Sequence, residues 1–428
     1  MRPSALLPAL SLLAAAAAKK VSYDGYQVLR VKTGARQVEV EQKLVKVKHD
    51  EWDGVENSHV DVAIAPAQLP AFRALGLDYS VMHEDLGASI AAESAARPAW
   101  KRHIDDMAWY DAYHPYDEHK AYMETLHRAF SNNSEIVSSG TSHEGRDIFG
   151  IHIWGAGGPG KPAVLWHGTV HAREWISAPV VEYLTLQLIQ GYGKENGTTG
   201  FVDASDIWSF PIANPDGFVH THTTDRLWRK NRQPPPPNAK NSSCFGRDIN
   251  RNWPHKWDAN PLGASSDPCS LTYKGEAPAD APETKGLQAM VDKLREMPGG
   301  IKLYVDWHAY TQIILAPVGY NCTRYIDTLG QHVKMAQLAA DAILKVEGKA
   351  FAYGPSCATL YSTTGTGLDY VYEVGRAKWS YLVELRDLGE HGFVLPPEQI
   401  RGSVKEQWEG MKVMLGLLDE VFFDGNGP

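Results

Sequence analysis

The chain has 428 residues, 43% of them hydrophobic and 22% charged, with a formal net charge of −9. This is globular composition with length for a sizeable core, in up to about three domains by size alone. It excludes a mostly disordered chain, and the acidic balance lacks the basic footprint of a nucleic-acid binder.

The start of the chain has its own logic. Arg2 gives a short basic start, residues 5–13 are largely apolar, residues 14–18 are all alanine, and Lys19 and Lys20 close the stretch. This is the layout of a secretory signal peptide, too short to span a bilayer. Residues 1–18 are therefore expected to be a signal peptide and the protein to be secreted. No later apolar run reaches the ~18 residues of a spanning helix, so no membrane partner is expected.

Next comes a small α+β unit. Residues 26–31 alternate as a strand, 38–47 are mixed and charged and suit a helix, and 59–65 (HVDVAIA) alternate as a half-buried strand. Residues 68–75 read as helix, 79–82 as a short strand and 84–96 as an Ala-rich helix. Arg97, Pro98 and the dibasic Lys101-Arg102 follow, which sets a boundary at residue 102.

Beyond residue 112 the pattern changes. Strands are expected at 163–166, 207–212, 301–307 and 379–383. Helices are expected at 175–189, with Pro179 tolerable in the opening turns, at 330–346 and at 406–422. Such alternation predicts an α/β sheet with helices on both faces. Residues 234–237 are four prolines, a rigid surface loop. No repeat at a period of ~20–50 residues is present.

The four cysteines, Cys244, Cys269, Cys322 and Cys357, fit two disulfides in an exported chain, with three pairings open. They lack the paired spacings of a four-cysteine zinc site. Four N-x-S/T sequons begin at Asn132, Asn196, Asn241 and Asn321 and suit a secreted glycoprotein.

Three predicted strands deliver polar residues at their carboxyl ends: His167 to Glu174 after the first, Asp306-Trp-His308-Ala-Tyr310 on the third, and Glu384-Leu-Arg386-Asp387 on the last. Ligands bind in open α/β sheets at that edge. His171 and Glu174, three apart at a strand-to-helix junction, can share one ion, and a distant His308 would complete two histidines and a glutamate with a position left for water. His167 reads as a core or turn histidine.

These residues lie in a series of ordered motifs: HAREW at His171, DRLWRKNR from Asp225, DINRNW from Asp248, WHAYTQ from Trp307, TLYSTTG from Thr359 and VELRD from Val383. On them the chain, from about Tyr113 to its end, resembles the zinc metallocarboxypeptidases of the carboxypeptidase A/B type. The zinc ligand set is already known for carboxypeptidase A.

The resemblance implies a mixed-sheet α/β catalytic domain at 103–428, preceded by a small α+β, ferredoxin-like pro-segment at 19–102 that lies over the active-site cleft until an activating protease removes it. It implies one Zn2+ on His171, Glu174 and His308, with Asp248 orienting His171. Glu384 would be the general base and Arg229 would stabilise the oxyanion. Asn250 and Arg251 would grip the terminal carboxylate of a peptide or protein substrate. Tyr361, with Thr364 and Gly365 after it, would close over the substrate, and Arg173, Arg226 and Tyr310 would line outer subsites. The family's specificity position falls on Leu368, which implies bulky apolar or aromatic C-terminal residues; Asp369 facing the pocket would turn the preference basic. The resemblance pairs Cys244 with Cys269 and Cys322 with Cys357. One alternative is a catalytically inactive relative kept for binding, whose mark would be loss of Glu384 or a ligand; another is an unrelated secreted α/β glycoprotein that holds no zinc.

Overall fold

The computed structural model describes residues 20–422 apart from 57 and 96–99. The expected signal peptide, and Arg97 and Pro98 at the expected boundary, lie outside the described residues.

The N-terminal unit runs β1 (Gln27–Lys32), α1 (Gln37–Leu44), β2 (Asp50–Glu56), β3 (His59–Ile64), α2 (Leu69–Arg73), β4 (Tyr79–His83) and α3 (Leu86–Glu93). Its four strands form one sheet in the order β2-β3-β1-β4, antiparallel throughout. Strand alternation sends Leu29, Val31, Val60, Val62 and Ile64 to one face, where Val40 and Leu44 of α1 and Phe72 of α2 cover them. The acidic, glycine-containing β2 was not legible from propensity.

The second face corrects an expectation. The HVDVAIA alternation predicts a half-buried strand, yet β3 is buried from Val60 to Ile64. The face carrying Val28, Asp61 and Ala63 lies on the larger unit, and Val28, Trp52, Ala63 and Leu86 join its main core.

The larger unit contains β5 (Ser134–Thr141), β6 (Asp147–Ile153), β7 (Ala163–Gly168), β8 (Asp206–Phe210), β9 (Ile301–Ala309), β10 (Ile313–Ala316), β11 (Ala352–Pro355) and β12 (Trp379–Leu385). They form one sheet in the order β11-β10-β12-β9-β7-β8-β6-β5. The central run β12, β9, β7, β8 is parallel, and antiparallel pairings of β6 with β8 and β10 with β12 make the sheet mixed.

The helices here are α4 (Tyr116–Ala129), α5 (Ser177–Gly191), α6 (Asn196–Ala204), α7 (Pro215–Thr223), α8 (Pro282–Arg295), α9 (Leu329–Glu347), α10 (Ser356–Thr359), α11 (Gly367–Glu373) and α12 (Ile400–Gly416). Residues of α4, α5, α9 and α12 share a core with Val164, Trp166, Val305 and Tyr381 of the sheet. On the opposite face Leu287 and Val291 of α8 and Tyr370 and Val371 of α11 pack on Ala163, Leu165 and Tyr304. Helices cover both faces, as the alternation predicts.

The last helix is shifted from its expected span of 406–422. Pro396 precedes and Pro397 opens a short 3₁₀ turn that leads into the helix at Ile400. At the far end the Leu418 carbonyl accepts from Trp379 Nε1 (3.0 Å) and Lys378 Nζ (2.7 Å), so side chains of the sheet, rather than a further helical turn, satisfy it. The disulfides are Cys244–Cys269 and Cys322–Cys357, the pairing the resemblance implies.

Candidate metal centre and active site

The site sits at the carboxyl ends of β7, β9 and β12. After β7 the chain turns through Thr169, a β-branched residue at φ 55, whose hydroxyl donates to the Pro211 carbonyl (3.0 Å). The loop is pinned by Ala172 N–H on the Arg229 carbonyl (3.0 Å), and Glu174 N–H closes on the His171 carbonyl (3.2 Å) just before α5. His171 and Glu174 thereby face one point. Parallel register sets Glu384 on β12 directly beside His308 on β9.

His171 Nδ1 lies 2.8 Å from Glu174 Oε1, His308 Nδ1 lies 3.0 Å from Glu174 Oε2, and the two Nδ1 atoms are 3.0 Å apart. All three side chains are buried. One proton between the two Nδ1 atoms cannot also serve both Glu174 oxygens, whereas a cation meets all three donor groups at once. The donors lie within 4.8 Å of one another, and two histidines with one carboxylate are a catalytic zinc set. The residues present fit one zinc ion.

Asp248 backs this group. Its Oδ1 is 3.1 Å from His171 Nε2, and its Oδ2 accepts from Arg229 Nε (3.2 Å) and Nη2 (2.9 Å). Burial pushes the Asp248 carboxyl up, but Arg229 and His171 outweigh it and hold the group well below the usual carboxylate range. Burial also works against Glu174, and the two imidazoles hold it below its ordinary value. The same balance keeps Arg229 protonated: burial opposes its charge, and Asp248 and Glu174 restore it.

One cavity brings the expected residues together. His171, Glu174, Arg229 and Glu384 line one part, Asn250, Arg251, Tyr310 and Tyr361 another, and Leu368 a third. Gly367 N–H donates to Asn250 Oδ1 (3.0 Å), which orients that amide. Arg251 is buried, gives Nη1 to the Asn250 carbonyl (2.9 Å) and has no hydrogen-bond partner for Nε among the described residues. Leu368 packs with Ile313, Leu315, Leu382 and Leu360. Asp369 turns away: both its oxygens accept from Gly319 N–H at 3.0 Å, and burial pushes its carboxyl up to about 7.

Two expected residues lie elsewhere. Arg173 and Arg226 are not in the cavity lining. Arg173 stacks 3.8 Å over the Phe393 ring. Arg226 gives Nε and Nη2 to Glu93 of α3 at 2.7 and 2.8 Å and lies 3.7 Å over the Trp175 ring. With the N-terminal unit docked, Arg226 belongs to the contact between units. Tyr310 does both, lining the cavity and donating to Asp61 Oδ2 at 2.6 Å. Arg386, just past β12, pairs with Glu406 and Glu347. His167 is a buried histidine with Nε2 2.8 Å from the Tyr304 hydroxyl, in keeping with the core reading. Asp306, noted in the sequence as a strand-end polar residue without a role, and Tyr304, not singled out there, join the site; their signal is spacing, since positions two and four before His308 on a strand share its face.

A second group, Asp387, Glu390 and His391, also gathers metal-type donors. Its Asp387 carboxylate already accepts backbone N–H from Gly389, His391 and Gly392, which makes it a loop anchor.

With this geometry established, the pattern of the zinc carboxypeptidase family matches residues 119–410. The chain belongs to that family. It is 42% identical over 418 residues to a metallocarboxypeptidase A of Trichophyton tonsurans, covering 96% of this chain and 97% of that one. It is 33% identical over 345 residues to carboxypeptidase A4 of Mus musculus, covering 79% and 78%. Among solved structures, a carboxypeptidase A from Helicoverpa armigera superposes with a TM-score of 0.79 at 27% identity, covering 92% of this chain and 98% of that one. Thrombin-activatable fibrinolysis inhibitor gives 0.83 at 26%, covering 92% and 99%. The chain is thus a zinc-dependent hydrolase of the exopeptidase type, and His171, Glu174 and His308 form its His-Glu-His site. Among the described residues no helix is long and apolar enough to cross a membrane.

Proposed function

We propose that this carboxypeptidase is a secreted zymogen that, once activated, releases bulky apolar or aromatic residues from the C-termini of peptides and proteins. The observation that carries the reading is one cavity holding two zinc ligands, Glu384, a buried arginine with an unpaired Nε and a leucine-lined end.

His171, Glu174 and His308 would hold the zinc, which would supply Lewis acidity and lower the pKa of a water toward neutrality. The remaining work belongs to the chain. Asp248 fixes the His171 tautomer by accepting a hydrogen bond from its Nε2–H. Glu384 takes a proton from the attacking water and delivers it to the leaving amine nitrogen. Arg229 faces the negative charge that develops on the scissile carbonyl oxygen. Asn250 and Arg251 hold the terminal carboxylate, the arginine through a two-pronged contact. An internal peptide offers no carboxylate and leaves Arg251 unpaired in a buried site at a cost of several kcal/mol, which favours chain ends. Tyr361 closes over the bound residue. Leu368 and its leucine neighbours accept apolar side chains. A basic preference needs a carboxylate in that pocket, and Asp369 is spent on Gly319 N–H. The inactive-relative reading loses ground because Glu384 and all three ligands are present.

The N-terminal unit is read as the ferredoxin-like pro-segment at 19–102, with 103–428 as the catalytic domain. Support comes from its strand order and from Asp61 on Tyr310 and Glu93 on Arg226. Lys101 and Arg102 are exposed, open to an activating protease. Arg173, Arg226 and Tyr310 would meet outer substrate residues after the unit leaves. Secretion is supported by the composition of residues 1–18, the sequons and the disulfides.

The test is metal content beside C-terminal release, before and after cleavage near residue 102. Expected are zinc near one per chain, little release before cleavage, and faster release of C-terminal Phe than of Arg afterwards. Zinc-free protein that added zinc cannot activate would sink the enzymatic reading; faster release of Arg would overturn the apolar preference alone.

A further inference from the structure

We propose that Asp306 is a positioning residue for the zinc ligand His308, held in turn by His167 and Tyr304 in a buried polar row across β9 and β7. The inference rests on the family's zinc site and adds to it a second carboxylate behind the metal.

Tyr304, Asp306 and His308 alternate along β9 and so share one face, and parallel register sets His167 of β7 beside Asp306. β9 lies inside the sheet, between β12 and β7. None of the four side chains is more than 1% exposed. A carboxylate that deep is costly unless it is paired, and its neighbours show what pairs it. Asp306 Oδ1 lies 3.0 Å from His308 Nε2 and 3.2 Å from His167 Nδ1. His167 Nε2 reaches the Tyr304 hydroxyl at 2.8 Å. The two carboxylate contacts are close, though neither is aligned as a regular hydrogen bond.

The tautomer of His308 picks out Asp306. His308 Nδ1 faces Glu174 Oε2 and His171 Nδ1, each at 3.0 Å, so it is the ligating atom. A neutral imidazole that ligates through Nδ1 carries its proton on Nε2 and needs an acceptor there. Among the described residues, two polar side-chain groups lie near Nε2. One is Asn250 Nδ2 at 3.4 Å, but the Gly367 N–H on Asn250 Oδ1 orients that amide so that its NH₂ faces the ring, and NH₂ cannot accept. The other is Asp306. Each imidazole ligand then has its own carboxylate, Asp248 behind His171 and Asp306 behind His308. Charge agrees: Glu174, Asp248 and Asp306 together offset Arg229 and a divalent ion, and without Asp306 the buried cluster would be left one positive charge in excess.

The test uses the full chain carrying Asp306→Asn and, separately, Asp306→Ala. Zinc affinity is read by chelator competition and ligand geometry by the visible spectrum of the cobalt-substituted protein. Both variants are expected to bind zinc about 10–100-fold more weakly, with a changed cobalt spectrum and an unchanged thermal midpoint of the metal-free protein. Wild-type affinity and spectrum in both would overturn the proposal, as would a lowered metal-free midpoint with zinc affinity intact, since that is a packing role. Should either variant fail to fold, the wild-type protein answers by NMR: the Nε2 proton of His308 in the zinc-loaded chain is expected far downfield and slow to exchange, and a proton exchanging like that of free imidazole refutes the assignment. Wild-type protein that held no zinc would sink the site itself, a result distinct from any of these.

Discussion

Glu384 and His308 occupy facing positions on neighbouring parallel strands, yet only His308 belongs to the metal-donor group. Glu384 stays half-buried at the cavity wall. Replacing it by glutamine keeps the shape and removes the carboxylate proposed as the base. Glu384→Gln is expected to retain zinc content and peptide binding while kcat falls by about 10²–10⁴, read by steady-state kinetics beside metal analysis; a near-normal kcat would remove its role. Arg251→Ala should act differently. It should raise KM steeply for peptides with a free C-terminus and leave already poor, amide-blocked peptides nearly unchanged, because a carboxylate is what the guanidinium recognises. Equal losses on both would contradict that. Much of this site was legible at the residue scale, because a metal set is written in residue types and short spacing: His171 and Glu174 three apart, His308 at a strand end. Asp306 was equally visible in the WHAYTQ neighbourhood. Its role was not, because it depends on which nitrogen of His308 meets which neighbour, and only the packed sheet decides that.

Elements were legible where burial is uniform and obscure where partners set the structure. The central strands β7, β8, β9 and β12 read directly as short apolar runs because both faces are covered. β5, at a sheet edge, mixes serines with exposed positions and gave no such run. The Asp61 face of β3 looked solvent-bound because strand alternation cannot distinguish water from a second unit that presents the Tyr310 hydroxyl. α9 shows how an element couples to the sheet through one polar group. Its His332 is fully buried against Trp379, Tyr381 and Tyr372, with Nδ1 on the Thr328 carbonyl (3.1 Å). Burial lowers its pKa from 6.5 to about 4. The folded value lies below the unfolded one, so the unfolded chain takes up the proton first. This contribution is whole above pH 6.5 and declines as pH falls toward 4, by up to ~3 kcal/mol at about 1.4 kcal/mol per unit. His332→Gln should therefore show a smaller loss of stability than the unaltered protein between pH 6.5 and 4, measured by denaturant unfolding; parallel losses would show that the ring does not control acid sensitivity.

At the scale of the molecule, some of the contacts that join the two units fall on residues that line the cavity. Tyr310 and Phe393 line it. Asp61, itself paired with Arg30, takes the Tyr310 hydroxyl, and Trp52 lies 5.4 Å from Phe393, ring centre to ring centre. His83 Nε2 on the His391 carbonyl (2.8 Å) and Arg30 Nη1 on the Leu388 carbonyl hold the loop next to Phe393. Glu93 closes the far side on Arg226, with both groups no more than 4% exposed. This last pair is the sharpest test of the zymogen reading, because it is local, charged and dry. Removing one partner of a buried pair costs about 3–5 kcal/mol, since the other is left charged and unpaired. On the zymogen reading the cost falls on the docked arrangement and not on the freed catalytic domain, in which Arg226 would meet water. Glu93→Ala should therefore raise release by the intact, uncleaved chain by about 10-fold or more, the equivalent of ~1.4 kcal/mol or more of lost docking. After cleavage near residue 102 the variant and the unaltered protein should be indistinguishable, because the altered residue has left with the N-terminal unit. An uncleaved variant as silent as its parent would mean that the Asp61 and Trp52 contacts close the site without help from Glu93; a rate that stayed altered after cleavage would place the effect in the catalytic domain and remove Glu93 from the account of inhibition.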